Sequence, residues 1–340
     1  MRTAIVGCGA MGTVIGAFLS QKGCCVDLID INAEHIAAMR EKGARIIGQA
    51  DMNVSVRAFT PDQMEGVYDI VFLLTKQTGN ESVLTNLLPF LHEDSVVCTL
   101  QNGVPESFVG QHVGLNRVVG GTVLWGATYI KAGVSELTQD VSKSKSLFEI
   151  GEIDGQITPR IKAVCEILQN MGPVHITQDL MGSRWTKLVA NACMSGMSAA
   201  CGCTFGEILD NKLAFACLSH IGREVKLCCE AQKYRLHGEA DLILGLESKE
   251  LYEQSQKMFF NMYDHQREAK ASMLQDLEHG RATEVHMING YVCQVGDEYG
   301  IDTYFNDTVR EIVSKIEIGE LPLSMDNLQF FDKSRFKYDL

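Results

Sequence analysis

The sequence predicts an α/β Rossmann-type domain followed by an all-α domain, and three observations carry that expectation. An apolar run, Ala4-Ile5-Val6, enters Gly7-Cys8-Gly9-Ala10-Met11-Gly12 and leaves it in a helical stretch. Strand and helix patterns then alternate as far as Val174-His175-Ile176-Thr177, as a mostly parallel sheet with helices on its faces requires. Beyond Gln178 strand signals almost vanish and helical periodicity takes over. A chain of 340 residues is too long for one small core and suits about two domains. The expected division is 1–178 for the dinucleotide-binding α/β domain, 179–325 for the all-helical domain and 326–340 for a tail with Phe330, Phe331, Phe336 and Tyr338.

The first strand and the glycines set the chemistry of the first domain. Gly7 lets the chain reverse, Gly9 has no side chain to hold the backbone away from a pyrophosphate, and Gly12 lets helix and strand pack closely. A phosphate would sit on the N-terminus of the amphipathic helix from Thr13 to Lys22. Next comes a strand, Cys25 to Asp30, whose last residue lies roughly 20 positions beyond the glycines, where ribose hydroxyls of a dinucleotide would be. A helix over Ala33 to Arg40 follows, then weaker strands near Arg45-Ile47 and Val54-Ala58. The near-continuous apolar runs Asp69 to Leu74 and Ser95 to Leu100 read as parallel strands buried on both faces, with a helix from Asn80 to Leu91 between them. Lys76 and Asn102 fall just past the carboxyl ends of these strands, where open α/β sheets bind ligands. From Val118 to Ile150, shorter β-rich runs broken by glycines suggest an antiparallel or mixed extension of the sheet. A helix over Ile157 to Met171, ended by Gly172-Pro173, precedes the last strand.

Composition excludes several classes of function. A formal charge of −13 argues against nucleic acid and anionic membranes as partners. No apolar stretch approaches the length that spans a bilayer, and the start of the chain runs straight into a strand, so a cytoplasmic protein is expected. The twelve cysteines are scattered through apolar segments and read as small buried hydrophobes in a reducing compartment. No Cys-x-x-Cys pair occurs, Cys201-Gly202-Cys203 has no second pair of ligands near it, and His279 and His286 have no metal-ligand spacing, so no metal is expected.

In the second domain, the helix Trp185 to Ser195 is apolar nearly all round except at Lys187, Asn191 and Ser195. Spacings of four put these three on one face. An unpaired buried ammonium is costly, so that stripe must face a carboxylate, a water-filled cleft or a ligand, unless the lysine snorkels to solvent. A further helical stretch runs from Ala271 to Val285, and Glu284 begins another amphipathic helix to Val295. Taken singly, Ser272 and Glu284 read as solvated surface.

Together these blocks resemble the ketopantoate reductases (2-dehydropantoate 2-reductases) over about the whole chain. The carriers are the glycine loop, Thr75-Lys76, Gln101-Asn102-Gly103, Trp185-Thr186-Lys187-Leu188 with Asn191, Ser272-Met273-Leu274-Gln275-Asp276, and Thr283-Glu284 with Ile288-Asn289-Gly290. The resemblance implies an active site in a cleft between the two domains and reduction of a branched 2-oxo acid to the (R)-2-hydroxy acid. It makes Lys187 the general acid and Glu284 the group that holds Lys187 or the substrate. Asn191 and Ser272 would bind the oxo-acid, with Ser195 one turn beyond, and Asn102 and Lys76 would reach the nicotinamide side. Gly7, Cys8, Gly9, Ala10, Met11, Gly12 and Asp30 would hold the dinucleotide.

Three departures shape the expectation. Where NADPH users of the family typically carry a basic residue, this chain has Asp30, so NAD(H) is preferred, with NADP(H) as the alternative. Ser195 and Ala269 stand where the family usually has asparagines, which leaves both ketopantoate and other branched 2-oxo acids open as substrates. The alternatives are therefore an NADH-dependent (R)-2-hydroxyacid dehydrogenase and, from another class, a non-catalytic dinucleotide sensor. The sensor would need the glycines but not Lys187, Asn191, Ser272 and Glu284 together. A homodimer is compatible with either enzyme.

Overall fold

The computed structural model describes residues 1–338. By its internal contacts the chain forms two units, Met1–Leu180 and Met181–Leu340.

Among the described residues of the first unit, twelve strands form a sheet of eight and a sheet of four. They are β1 Thr3–Val6, β2 Val26–Ile29, β3 Ala44–Gly48, β4 Met52–Val54, β5 Arg57–Phe59, β6 Tyr68–Leu73, β7 Leu91–Thr99, β8 Val118–Val123, β9 Ala127–Lys131, β10 Val134–Leu137, β11 Phe148–Gly151 and β12 Val174–Ile176. The large sheet has the order β12-β11-β8-β7-β6-β1-β2-β5 and is parallel except where β11 meets β8. Strand order reverses beside β1, with β2 on one side and β6 on the other. Loops at the carboxyl ends of strands at such a reversal form the ligand crevice of an open α/β sheet.

The small sheet, β4-β3-β10-β9, corrects two expectations. The Val54-Ala58 candidate is two strands, β4 in the small sheet and β5 in the large one. The β-rich stretch after Val118 likewise divides, β8 and β11 extending the large sheet while β9 and β10 join the small one. Strand propensity resides in local sequence, but the choice of partner does not.

Helix α1, Ala10–Gln21, packs on β1 and β2 and also on β3, β9 and β10. Covered from two sides, it buries every residue from Gly12 to Ala17 and is not the amphipathic helix expected. The other helices of this unit are α2 Ala33–Lys42, α3 Asn80–Leu87, α4 Glu106–Val113 and α5 Pro159–Leu168. The expected helix to Leu91 stops earlier because Pro89 falls in a 3-10 turn, Leu88–Phe90. Helix α4 carries Gly110 and β-branched residues and gave no sequence signal; it packs on α3 and β8. Asp27, buried in β2, is matched by Arg2 and Arg57 at 2.7 Å each and by the Tyr68 hydroxyl at 3.1 Å.

The second unit is helical: α6 Leu180–Ala190, α7 Gly196–Cys201, α8 Phe205–Asp210, α9 Lys212–Ala231, α10 Glu239–Ile243, α11 Lys249–Tyr263, α12 Ser272–Glu278, α13 Asn289–Tyr299 and α14 Tyr304–Glu317. Helix α9 packs on α8, α11, α13 and α14. Its buried Leu218, Ile221, Val225 and Cys228, with Val292, Val309 and Ile312, belong to the core. As far as it is described, the tail packs as an arm on the helical unit. Phe331 is buried, Phe336 packs on His220 and Phe305 at 5.0 Å each, and Tyr338 donates to the Leu246 carbonyl at 3.1 Å.

The cysteines are free and most are buried, Cys25 being exposed and Cys24 partly so. Among the described residues no group of side chains could hold a metal ion, and no helix is long and apolar enough to cross a membrane.

Candidate dinucleotide site and catalytic cluster

In the first unit the glycine loop joins β1 to α1. Gly7 has φ +97°, and a Cβ there would stand 2.4 Å from the Thr75 nitrogen, so only glycine fits where β1 passes the end of β6. A Cβ on Gly12 would stand 2.3 Å from the Gly7 carbonyl oxygen. The amides of Gly7 and Cys8 donate to the Ile29 carbonyl at 2.9 and 3.3 Å, which ties the loop to β2. Gly9 caps α1 with no side-chain hydrogen bond, and no acid occupies the first turn of the helix. Its exposed position has nothing within 4 Å of an added Cβ. An open helix N-terminus approached by side-chain-free backbone suits a pyrophosphate, so the loop fits a dinucleotide. Ala10 and Met11, partly buried, make the first turn.

Asp30 follows β2, and its carboxylate accepts the Asn32 amide at 2.9 Å. Its charge is felt at Cys8 in the glycine loop and at His35. Burial, reinforced by Asp30, pushes the Cys8 thiol well above its ordinary value, so Cys8 serves as loop backbone and not as a nucleophile.

Lys76 and Asn102, both half-buried, stand beyond the ends of β6 and β7. Gln77 Nε2 donates to the Asn102 carbonyl at 2.6 Å. Buried Gln101 donates to the Thr75 carbonyl at 2.8 Å and exchanges hydrogen bonds with Asn80 at 2.6 and 3.3 Å. These amides lock the two loops together, a role that sequence reading did not assign to Gln77, Asn80 or Gln101. The only signal was a run of amides just past two buried strands.

In the second unit, Lys187 lies two turns into α6 and is half-buried. Burial and, after it, the nearby Arg184 guanidinium lower its pKa to about 8, with Glu284 opposing both. Arg184 is itself only 1% exposed; sequence reading missed this second cation, one turn before Lys187. Glu284 does not begin a helix as expected. It precedes a 3-10 turn, Val285–Met287, and α13 starts at Asn289. The stretch from Ala271 likewise ends as a helix at Glu278, followed by Gly280 with φ +63°. Glu284 is half-buried and its carbonyl accepts the amides of Met287 and Ile288 at 2.9 and 3.0 Å. The Trp185 and Tyr291 rings, 5.6 Å apart, hold α6 against α13.

After Ala190 the helix widens into a π turn, Asn191–Ser195, before resuming as α7. The Gly196 amide bonds back five residues to the Asn191 carbonyl. In an unbroken α-helix it would have taken the Ala192 carbonyl, which the buried Asn289 side chain takes instead at 3.1 Å. Asn289 also donates to Asn306 at 3.0 Å, and Asn306 donates to buried Glu224 at 2.7 Å. Burial raises Glu224 to about 8 against these hydrogen bonds. Ser195 is buried, and Asn191 Nδ2 is buried with no hydrogen-bond acceptor among the described residues. Ser272, exposed, opens α12, which packs on α7 and on the π turn. Ala269 is half-buried, and its carbonyl accepts the Phe205 amide.

The structure thus gathers two groups: the glycine loop with Asp30 and the Lys76 and Asn102 loops in one unit, and Lys187, Glu284 and Arg184 in the other. Two family models match the chain. One, described as ketopantoate reductase PanE/ApbA, covers residues 3–154, and its C-terminal counterpart covers 179–317. The 2-dehydropantoate 2-reductase of Archaeoglobus fulgidus is 27% identical over 320 residues, 94% of this chain and 98% of that protein. The 2-dehydropantoate 2-reductase of Lactococcus lactis is 26% identical over 93% of this chain and 98% of its own length. Among solved structures, D-mandelate dehydrogenase with NADH and anilino(oxo)acetate superposes with a TM-score of 0.81 at 23% identity, covering 94% of this chain and 99% of its own. A PanE/ApbA family ketopantoate reductase from Ralstonia eutropha gives a TM-score of 0.80 at 23% identity, covering 94% and 99%.

Proposed function

Because the chain belongs to the ketopantoate reductase family, we propose that it reduces a small branched 2-oxo acid to the (R)-2-hydroxy acid with NADH, ketopantoate being the first candidate. The observation that carries this is Lys187, a half-buried amine with a pKa of about 8 beside Glu284. At neutral pH such a lysine is still charged, yet it gives up its proton far more readily than an exposed one.

Gly7 to Gly12 would hold the pyrophosphate and Asp30 the adenosine ribose, with Lys76 and Asn102 toward the nicotinamide. Bound there, the reduced dinucleotide supplies hydride to the ketone carbon. The ketone oxygen then takes on negative charge, which the Lys187 ammonium stabilises and neutralises by giving it a proton. Glu284 keeps Lys187 charged before that transfer, and solvent restores the proton afterwards. Asn191, Ser195 and Ser272, with Asn102, would bind and orient the oxo-acid. The Nδ2 of Asn191, buried with no acceptor among the described residues, supports a hydrogen bond to substrate oxygen.

Asp30 supports NADH over NADPH, because a carboxylate accepts the ribose hydroxyls and repels a 2′-phosphate. Ser195 and Ala269 are shorter than the amides usual in the family, and they support a second reading in which other branched 2-oxo acids serve as well as ketopantoate. A pocket without donors for the terminal hydroxyl discriminates weakly for it. The test mixes protein, NADH or NADPH, and a panel of 2-oxo acids, and follows the nicotinamide absorbance band. Oxidation of NADH by ketopantoate and 2-oxoisovalerate with similar kcat/KM is expected. A preference of several orders of magnitude for ketopantoate would remove the second reading, and dinucleotide binding without oxidation by any oxo-acid would favour the sensor.

A further inference from the structure

His35, in the first turn of α2, is a buried titratable group to which the reaction assigns no task. Its ring is 1% exposed and packs on Tyr129 of β9, with centroids 5.2 Å apart. The Gly133 amide, in the turn between β9 and β10, donates to His35 Nδ1 at 2.9 Å. A ring nitrogen that accepts carries no proton, so the neutral ring holds its proton on Nε2. Burial lowers the pKa of the ring, opposed by its hydrogen bond to Cys8 and by Asp30, which agrees with a neutral imidazole. Nε2 lies 2.7 Å from the Cys8 carbonyl oxygen and donates to it. The Thr13 hydroxyl, 3.0 Å from the same nitrogen, donates to that carbonyl as well, at 2.8 Å.

Cys8 is the second residue of the glycine loop, and its peptide bond to Gly9 is trans. In a planar trans peptide the C=O and N–H point in opposite directions. Two donors that hold the Cys8 oxygen inward therefore aim the Gly9 N–H outward, on the side where Gly9 is exposed and uncrowded. We propose that His35 is a positioning residue for the pyrophosphate: with Thr13 it sets the plane of the Cys8-Gly9 peptide so that its N–H meets a phosphate oxygen. Through Gly133 it also anchors that plane to the β9–β10 turn. The proposal rests on the glycine loop being a dinucleotide site.

Two variants separate the bonds. His35→Asn keeps an acceptor where Nδ1 stands but has no donor that reaches Cys8, whereas His35→Gln keeps a donor near Nε2. Parent and variants are titrated calorimetrically with NADH, with ADP, which carries the pyrophosphate, and with adenosine, which does not. His35→Asn should lose about tenfold in affinity for NADH and ADP, the scale of one hydrogen bond to a charged group. Its affinity for adenosine and its kcat at saturating NADH should stay within about threefold of the parent, and His35→Gln should recover most of the ADP affinity. Unchanged ADP binding in folded His35→Asn protein, or an equal loss for adenosine, overturns the proposal. A parent that binds neither NADH nor ADP overturns the dinucleotide site itself, and the proposal with it. Should His35→Asn not fold, long-range 15N spectra of the parent imidazole decide. An Nε2–H ring whose signal moves on addition of ADP supports the role, and an Nδ1–H ring or one indifferent to ADP overturns it.

Discussion

Lys187 titrates at about 8 because burial strips water from its ammonium and Arg184 repels it, while Glu284 only partly compensates. Ketone reduction needs the protonated form, which is lost as pH rises through that value. The reduction kcat should therefore be level below about pH 7 and fall about tenfold per unit well above 8, and Glu284→Gln should move that limb to lower pH. Lys187→Ala should lose about 10²-fold or more in kcat with little change in NADH affinity. Folding is checked first by circular dichroism, since the change leaves Glu284 without its cation. A folded variant within a few-fold of the parent would remove Lys187 as the acid. Asp30 tests cofactor choice in the same spirit. Asp30→Arg should move the ratio of kcat/KM for NADPH over NADH upward by about tenfold or more, because one carboxylate is exchanged for a cation beside a phosphate. An unchanged ratio would mean that other residues choose the cofactor.

At the scale of elements, the π turn depends on a residue of another helix. Asn289→Ala would take the side-chain donor from the Ala192 carbonyl and from Asn306 Oδ1, costing about 1–3 kcal/mol, and would let Asn191 shift. Denaturant melts should register that loss, with kcat/KM falling alongside; a variant as stable and active as the parent would show that the turn is held otherwise. The parallel strands β1 and β6 and the half of β7 from Ser95 were legible because each is a largely apolar run buried on both faces. The division of Val54-Ala58 between two sheets was not, since pairing is settled by partners distant in the chain. Helix α4 was invisible for a related reason, its weak formers being held by packing on α3 and β8. Lys187 stood out as a cation on an apolar helix, and Glu284 only through the family likeness. The place of His35 in the loop could not be read at all, its partners Cys8 and Gly133 lying 27 and 98 residues away.

For the molecule as a whole, the aromatic tail completes the helical unit. Phe331, Phe336 and Tyr338 cover the side of that unit where His220 and Tyr252 stand. Each unit is one unbroken run of chain, and the passage from Leu180 to Met181 falls at the start of α6. Glycine loop, Asp30 and His35 all precede that passage, whereas Lys187, Asn191, Ser272 and Glu284 all follow it. In the gene, the residues proposed to hold the coenzyme and the proposed proton donor are therefore written in two adjacent and separate stretches. Mutation or recombination can retune one clause of that text without rewriting the other.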